Sequence, residues 1–113
     1  MIDQIYPGQL DAWFDSVRAH GEPVILDVRE PAEWAAASVQ PTGVEVLQIA
    51  MQTIPGRLSE LDPDRPVAVL CHHGARSMQV AMFLAQQGFD RVVNVAGGID
   101  AWSLQVDPSV PRY

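Results

Sequence analysis

Val67-Ala68-Val69-Leu70-Cys71-His72-His73-Gly74-Ala75-Arg76-Ser77 is the stretch on which the reading of this chain turns. Val67 to Leu70 is an apolar run without alternation, the pattern of a parallel strand covered on both faces. Gly74 provides a residue at which the backbone can turn without a side-chain clash. From Ala75 or Arg76 the spacing predicts a helix, with Val80, Phe83, Leu84 and Gln87 at i, i+3, i+4 and i+7. Gly88 stands where a left-handed cap would end it. The stretch therefore predicts strand, tight loop and helix, with the only cysteine of the chain at the end of the strand.

That position has a chemical consequence. A cysteine between a strand end and a helix start faces a cluster of unpaired backbone N–H groups. The helix dipole adds partial positive charge there, and Arg76 adds a full one nearby. Both favour a thiolate over a thiol. The loop is a candidate seat for a sulfur nucleophile.

Working outward, the chain alternates strand and helix patterns. Ile5-Tyr6 predicts a short edge strand, broken by Pro7-Gly8. Leu10, Trp13, Phe14 and Val17 share one face of a helix ending near His20-Gly21, and core packing accounts for its aromatic pair. Val24-Ile25-Leu26 is a second buried-strand run, with Asp27-Val28-Arg29 at its end, where sites gather in an open parallel sheet. Asp27 and Arg29 are expected to brace the loops as an ion pair rather than to do chemistry. Glu30 to Trp34 predicts a short helical turn anchored by Glu33 and Trp34, and Ala35 to Val44 is the least regular segment.

Val44 to Leu47 predicts a strand, and a helix then carries Ile54, Leu58 and Leu61 on one face, with Pro55 in its first turn. Asp62-Pro63-Asp64-Arg65-Pro66 is a turn cluster leading into the central strand. Arg91 to Val95 predicts a strand, Gly97-Gly98 a tight turn, Ile99 to Leu104 a last helix, and Val106 to Tyr113 a tail along the surface. The order implies an α/β fold with a parallel sheet of about five strands and helices on both faces.

Composition sets the outer limits. A chain of 113 residues is long enough for one core without disulfides, and a single domain over residues 1–113 is expected. One cysteine excludes an internal disulfide, so nothing demands an oxidising compartment. No window has the length of a membrane-spanning helix, and the start lacks the basic-then-apolar pattern of a secretory signal, so a cytoplasmic protein is expected. The formal net charge is −7 and every basic residue is an arginine, which argues against nucleic acid or an anionic membrane as partner. An anionic substrate stays possible, because local donors act over a shorter range than net charge.

Cys71-His72-His73-Gly74-Ala75-Arg76-Ser77 resembles the active-site loop of the rhodanese (thiosulfate sulfurtransferase) homology family. Leu26-Asp27-Val28-Arg29-Glu30-Pro31-Ala32-Glu33-Trp34 is similar to the family's first signature, and Val95-Ala96-Gly97-Gly98-Ile99-Asp100-Ala101-Trp102 to its last. The three stand in the family's order, and the resemblance runs from about Ile5 to Pro108. Between them, where the family shows a Gly-His-Ile-Pro-Gly-Ala-like turn, this chain has Ala37-Ser38-Val39-Gln40-Pro41-Thr42-Gly43-Val44, without the histidine.

The resemblance implies a rhodanese-like fold and a sulfurtransferase working through a Cys71 persulfide, loaded from thiosulfate or a persulfide donor. Backbone N–H groups from His72 through Gly74 and Ala75 to Arg76 would hold the persulfide's charge. Arg76, with His72 or His73 when protonated, would meet an anionic donor at the rim. Ser77 is expected as a helix-start hydrogen bonder, since no base is placed to make it a nucleophile. Asp27 and Arg29 would hold the surrounding loops. No dissociable cofactor is implied, and the acceptor could be cyanide, a small thiol, thioredoxin or a sulfur-carrier protein.

Other readings compete. A lone cysteine can be a small buried hydrophobe. A metal site on Cys71, His72 and His73 is disfavoured, because adjacent residues converge poorly and a structural zinc wants four ligands. Phosphatases and arsenate reductases can share the layout, but their loop is Cys-x5-Arg, and Cys71 to Arg76 is Cys-x4-Arg. A protein-interaction module could keep the fold without turnover, although such modules usually lack the cysteine.

Overall fold

The computed structural model describes residues 2–113. Five strands form one parallel sheet: β1 (Asp3–Ile5), β2 (Val24–Asp27), β3 (Glu45–Gln48), β4 (Val67–Leu70) and β5 (Val92–Val95). Their order across the sheet is β1-β5-β4-β2-β3. The two apolar runs read from the sequence are β2 and β4, and with β5 they are the inner strands, all four residues of each buried. The helices are α1 (Leu10–Val17), α2 (Pro31–Ala36), α3 (Ala75–Gln86) and α4 (Gly98–Gln105).

Successive strand residues serve opposite faces, so the core has two halves. Leu26, Val67 and Val69 pack with Val80, Ala81 and Leu84 of α3 on one face. Ile25, Ala68, Leu70 and Val93 pack with Leu10 and Phe14 of α1 and Ile99 and Trp102 of α4 on the other. The register matches Asp27 with Leu70 and Val69 with Asn94. The carboxyl ends of β2, β4 and β5 therefore lie side by side, and the chain leaves all three in one small region.

The structure departs from the sequence reading in a few places. β1 lies at Asp3–Ile5 rather than Ile5-Tyr6, pairing residue for residue with Val93 to Val95. The helix expected around Ile54, Leu58 and Leu61 is instead two 3-10 segments, Met51–Thr53 and Pro55–Glu60. Pro55 opens the second segment, which suits its missing N–H, and Gly56 in that first turn disfavours an α-helix. Ile54 and Leu61 still reach the core. The tail packs through buried Val110 and brings Tyr113 back beside His72.

Candidate active site

The site forms where β4 gives way to α3. Gly74 caps α3 with φ of 108°, a left-handed conformation that glycine adopts without strain. The first turn of α4 supports the loop from the far side. Ile99 N–H donates to the Cys71 carbonyl (2.9 Å), and Asp100 N–H to that of His72 (3.2 Å). Gly98 lets the backbones approach this closely, since a Cβ there would run into both carbonyl oxygens. The Gly97-Gly98 pair is thus part of the site's construction.

At the sulfur, Gly74 N–H donates to Cys71 Sγ at 3.1 Å, and the thiol donates to Ser77 Oγ at 3.2 Å. Ser77 is fully buried and its hydroxyl donates to Asn94 Oδ1. Asn94 Nδ2 donates to the Gly74 carbonyl (3.0 Å) and to Gln4 Oε1 (2.9 Å). A backbone carbonyl can only accept, so this contact fixes which end of the Asn94 amide faces Ser77. The serine proton is then directed at Asn94, and an oxygen lone pair is left for the thiol.

Two expectations change here. The ring of amides expected from His72 to Arg76 reduces, among the described residues, to the single N–H of Gly74. Cys71 itself is 1% exposed and packs with the core on the α3 face. It is nevertheless not a purely apolar thiol, because one amide and one hydroxyl hold it. Ser77 lies in the first turn of α3 but caps no helix amide; its hydroxyl serves Cys71 and Asn94 instead. Asn94 and Gln4 did not emerge from the sequence; the available signal was one polar residue inside the run Val92-Val93-Asn94-Val95.

The charged groups form a separate network. Asp27 and Arg29, both fully buried, make the expected ion pair, with Nη2 2.7 Å from Oδ2. Arg29 also donates to the carbonyl oxygens of Ala37 and Glu33, tying down the irregular segment after α2. Burial opposes the charge on Arg29, but Asp27 and Tyr113 outweigh it and raise its pKa. Arg76 points to Glu33 in a two-pronged pair at 2.6 and 2.9 Å, a contact absent from the sequence reading. Tyr113 OH donates to Glu33 Oε2 (2.7 Å) and accepts from Arg29 Nη1 (2.8 Å). The hydrogen bonds from Arg76, opposed by partial burial and aided by Tyr113, hold the Glu33 carboxyl down at about 2. Burial, foremost, raises the Tyr113 hydroxyl.

His72 is sandwiched between His73 (ring centroids 3.9 Å apart) and Tyr113 (4.1 Å), and its buried Nε2 has no hydrogen-bond partner. The two histidines approach an acid rather than Cys71. Ligand atoms of His72, His73 and Asp100 lie within 4.8 Å of one another. Asp100, however, is bound by Arg112 at 2.8 Å, so a guanidinium already occupies the carboxylate. A cleft of ≈ 330 Å³ beside the loop is lined by His73, Gly74, Asn94, Gln4 and Gly97. The larger cleft of ≈ 510 Å³, between Pro7, Pro41 and Trp102, contains no residue of the cysteine loop.

Comparison with known proteins agrees with this geometry. The sequence model of the rhodanese-like domain matches residues 7–105. A sulfurtransferase of Allochromatium vinosum is 44% identical over 80 residues, which is 71% of each chain. The chloroplastic rhodanese-like/PpiC domain-containing protein 12 of Arabidopsis thaliana is 47% identical over 92 residues, covering 81% of this chain but only 31% of the plant protein. The crystal structure of a rhodanese-like domain protein from Staphylococcus aureus superposes with a TM-score of 0.74 at 27% identity, covering 99% of both chains. No helix among the described residues is long and apolar enough to cross a membrane. With a cysteine loop, a five-stranded parallel sheet and a family match over most of its length, the chain belongs to the rhodanese-like domain family.

Proposed function

We propose that this chain is a sulfurtransferase that carries a sulfane sulfur on Cys71, taking it from thiosulfate or a persulfide and passing it to a thiophilic acceptor. One observation carries the reading. The only cysteine ends the central strand, with the Gly74 amide and the Ser77 hydroxyl on its sulfur. The likeness to a protein named sulfurtransferase supports it.

In the first half-reaction the Cys71 thiolate attacks the donor's outer sulfur. The Sγ–S bond forms as the donor's S–S bond breaks, and sulfite or a thiolate leaves with the electron pair. In the second, the acceptor's nucleophile takes the outer sulfur and the Cys71 thiolate returns. Cyanide, a small thiol, thioredoxin or a sulfur-carrier protein would serve as acceptor, and two half-reactions through one covalent intermediate give ping-pong kinetics. The Gly74 N–H, already at the sulfur, stabilises the anion as an oxyanion-hole donor does.

Mass spectrometry after incubation with a sulfane-sulfur donor tests the reading. Wild type gains one sulfur and Cys71→Ser gains none. Sulfur on neither protein, together with stable capture of a partner, would instead identify an interaction module.

A further inference from the structure

The charges around the loop decide what kind of donor it suits. Thiosulfate is a strongly hydrated dianion with three terminal oxygens, and a site that strips its water must offer cations or several aligned donors. Among the described residues, six of the seven arginines are already ion-paired. The three nearest the site are Arg29 on Asp27, Arg76 on Glu33 and Arg112 on Asp100. The seventh, Arg91, precedes β5 at the amino-terminal edge of the sheet, where its carbonyl accepts from Val67, at the end opposite Cys71. Both prongs of the Arg76 guanidinium are engaged by Glu33, and Tyr113 pins that carboxylate from its other side. The net charge of −7 further repels an approaching dianion.

No arginine lines the rim cleft. The cleft beside the loop is lined by Gln4, Tyr6, Asn94, glycines and His73. Among the described residues the one backbone donor at the sulfur is the Gly74 N–H, already taken by Cys71 Sγ, so three sulfonate oxygens go unmet.

We propose that the donor is a persulfide, R–S–SH or its anion, and that thiosulfate is a poor one because Glu33 holds Arg76 away from it. This rests on the sulfurtransferase reading. The Cys71 thiolate attacks the outer sulfur of the persulfide, the donor S–S bond breaks, and R–S⁻ leaves with the electron pair and takes up a proton. No oxidant or reductant is consumed.

The test compares the rate constants for loading sulfur onto Cys71 from thiosulfate, glutathione persulfide and persulfidated serum albumin, in wild type and Glu33→Gln. The glutamine retains an acceptor for the Glu30 N–H that Glu33 caps, so α2 keeps its start. Wild type should load from a persulfide at least about tenfold faster than from thiosulfate, and Glu33→Gln should raise the thiosulfate-to-persulfide ratio about tenfold, the worth of one freed charge-assisted contact. Whichever persulfide loads faster shows whether the source is a small thiol or a protein. Thiosulfate loading wild type as fast as either persulfide overturns the inference, even if the variant fails to fold. An unchanged ratio in a folded Glu33→Gln also overturns it. Sulfur on Cys71 from no donor is a different failure, which removes the sulfurtransferase reading and this inference with it.

Discussion

Two hydrogen-bonded networks meet at the cysteine loop, and they are built from opposite materials. Beneath the sulfur, Cys71, Ser77, Asn94 and Gln4 form a chain of uncharged groups running from the thiol to the edge strand. Above it, Asp27, Arg29, Tyr113, Glu33 and Arg76 form a chain of charges in which each cation has its own carboxylate. The uncharged chain touches the cysteine sulfur, while the charged one neutralises itself and braces the loops after β2 and β4. A fixed cation against the sulfur would favour the thiolate but lower its nucleophilicity. Hydroxyl and amide groups can reorient as the sulfur's charge comes and goes. On this comparison the charges set the fold of the rim and the neutral groups set the reactivity of the sulfur.

The most severe way to break the comparison is to unpair the charged chain at its buried end. Arg29 is fully buried and holds Asp27 and two backbone carbonyls as well as the Tyr113 hydroxyl. Arg29→Met leaves the Asp27 carboxylate uncompensated and should cost about 3–5 kcal/mol in urea denaturation, a large share of the stability of a domain this size. A variant as stable as wild type would show that the charged chain is not what holds the rim.

The uncharged chain is sharpened by a smaller change. Ser77 directs its proton to Asn94, so an ionised Cys71 receives a hydrogen bond from Ser77 only if that hydroxyl turns around. Asn94→Ala releases the hydroxyl to face the sulfur, and alkylation of Cys71 by iodoacetamide at neutral pH should rise on the order of tenfold, the scale of one hydrogen bond to a charged group. Ser77→Ala removes the donor altogether and should slow the same reaction. Both variants moving alkylation in the same direction would mean that the polarity of the chain does not control the thiol.

The two networks also differ in how far the sequence disclosed them. β4, its loop and α3 were legible because each signal is local: an unalternating apolar run, Gly74 at a positive φ, and helical periodicity from Ala75. The Asp27–Arg29 pair was legible for the same reason, two residues apart at a strand end. Asn94 lies 17 residues from Ser77 and 90 from Gln4, while Tyr113 lies 80 from Glu33 and 84 from Arg29. No period or turn rule links such positions; the register of β1 on β5 and the path of the tail bring them together. Arg76 was read by its charge and position as free to meet a donor, and only the fold shows Glu33 opposite it. The segment from Met51 to Glu60 differs again, because the spacing of Ile54, Leu58 and Leu61 is helical but Gly56 in the first turn undercuts the α-helical ladder.

The mildest probe acts on the charged chain through pH. Glu33 has an ordinary carboxyl value of 4.5 when the chain is unfolded and about 2 when Arg76 and Tyr113 hold it. The folded state therefore binds the proton less readily than the unfolded state. The stabilisation from this group is complete above the ordinary value and is lost as the pH falls through 4.5 toward about 2. Glu33→Gln has no such proton to gain, so its stability should fall less steeply than that of wild type across that window when urea midpoints are measured against pH. The difference is modest, because the pair is partly open to solvent. Parallel curves for the two proteins would mean that the Arg76–Glu33 contact is loose in solution, leaving Arg76 free to meet an anionic donor after all.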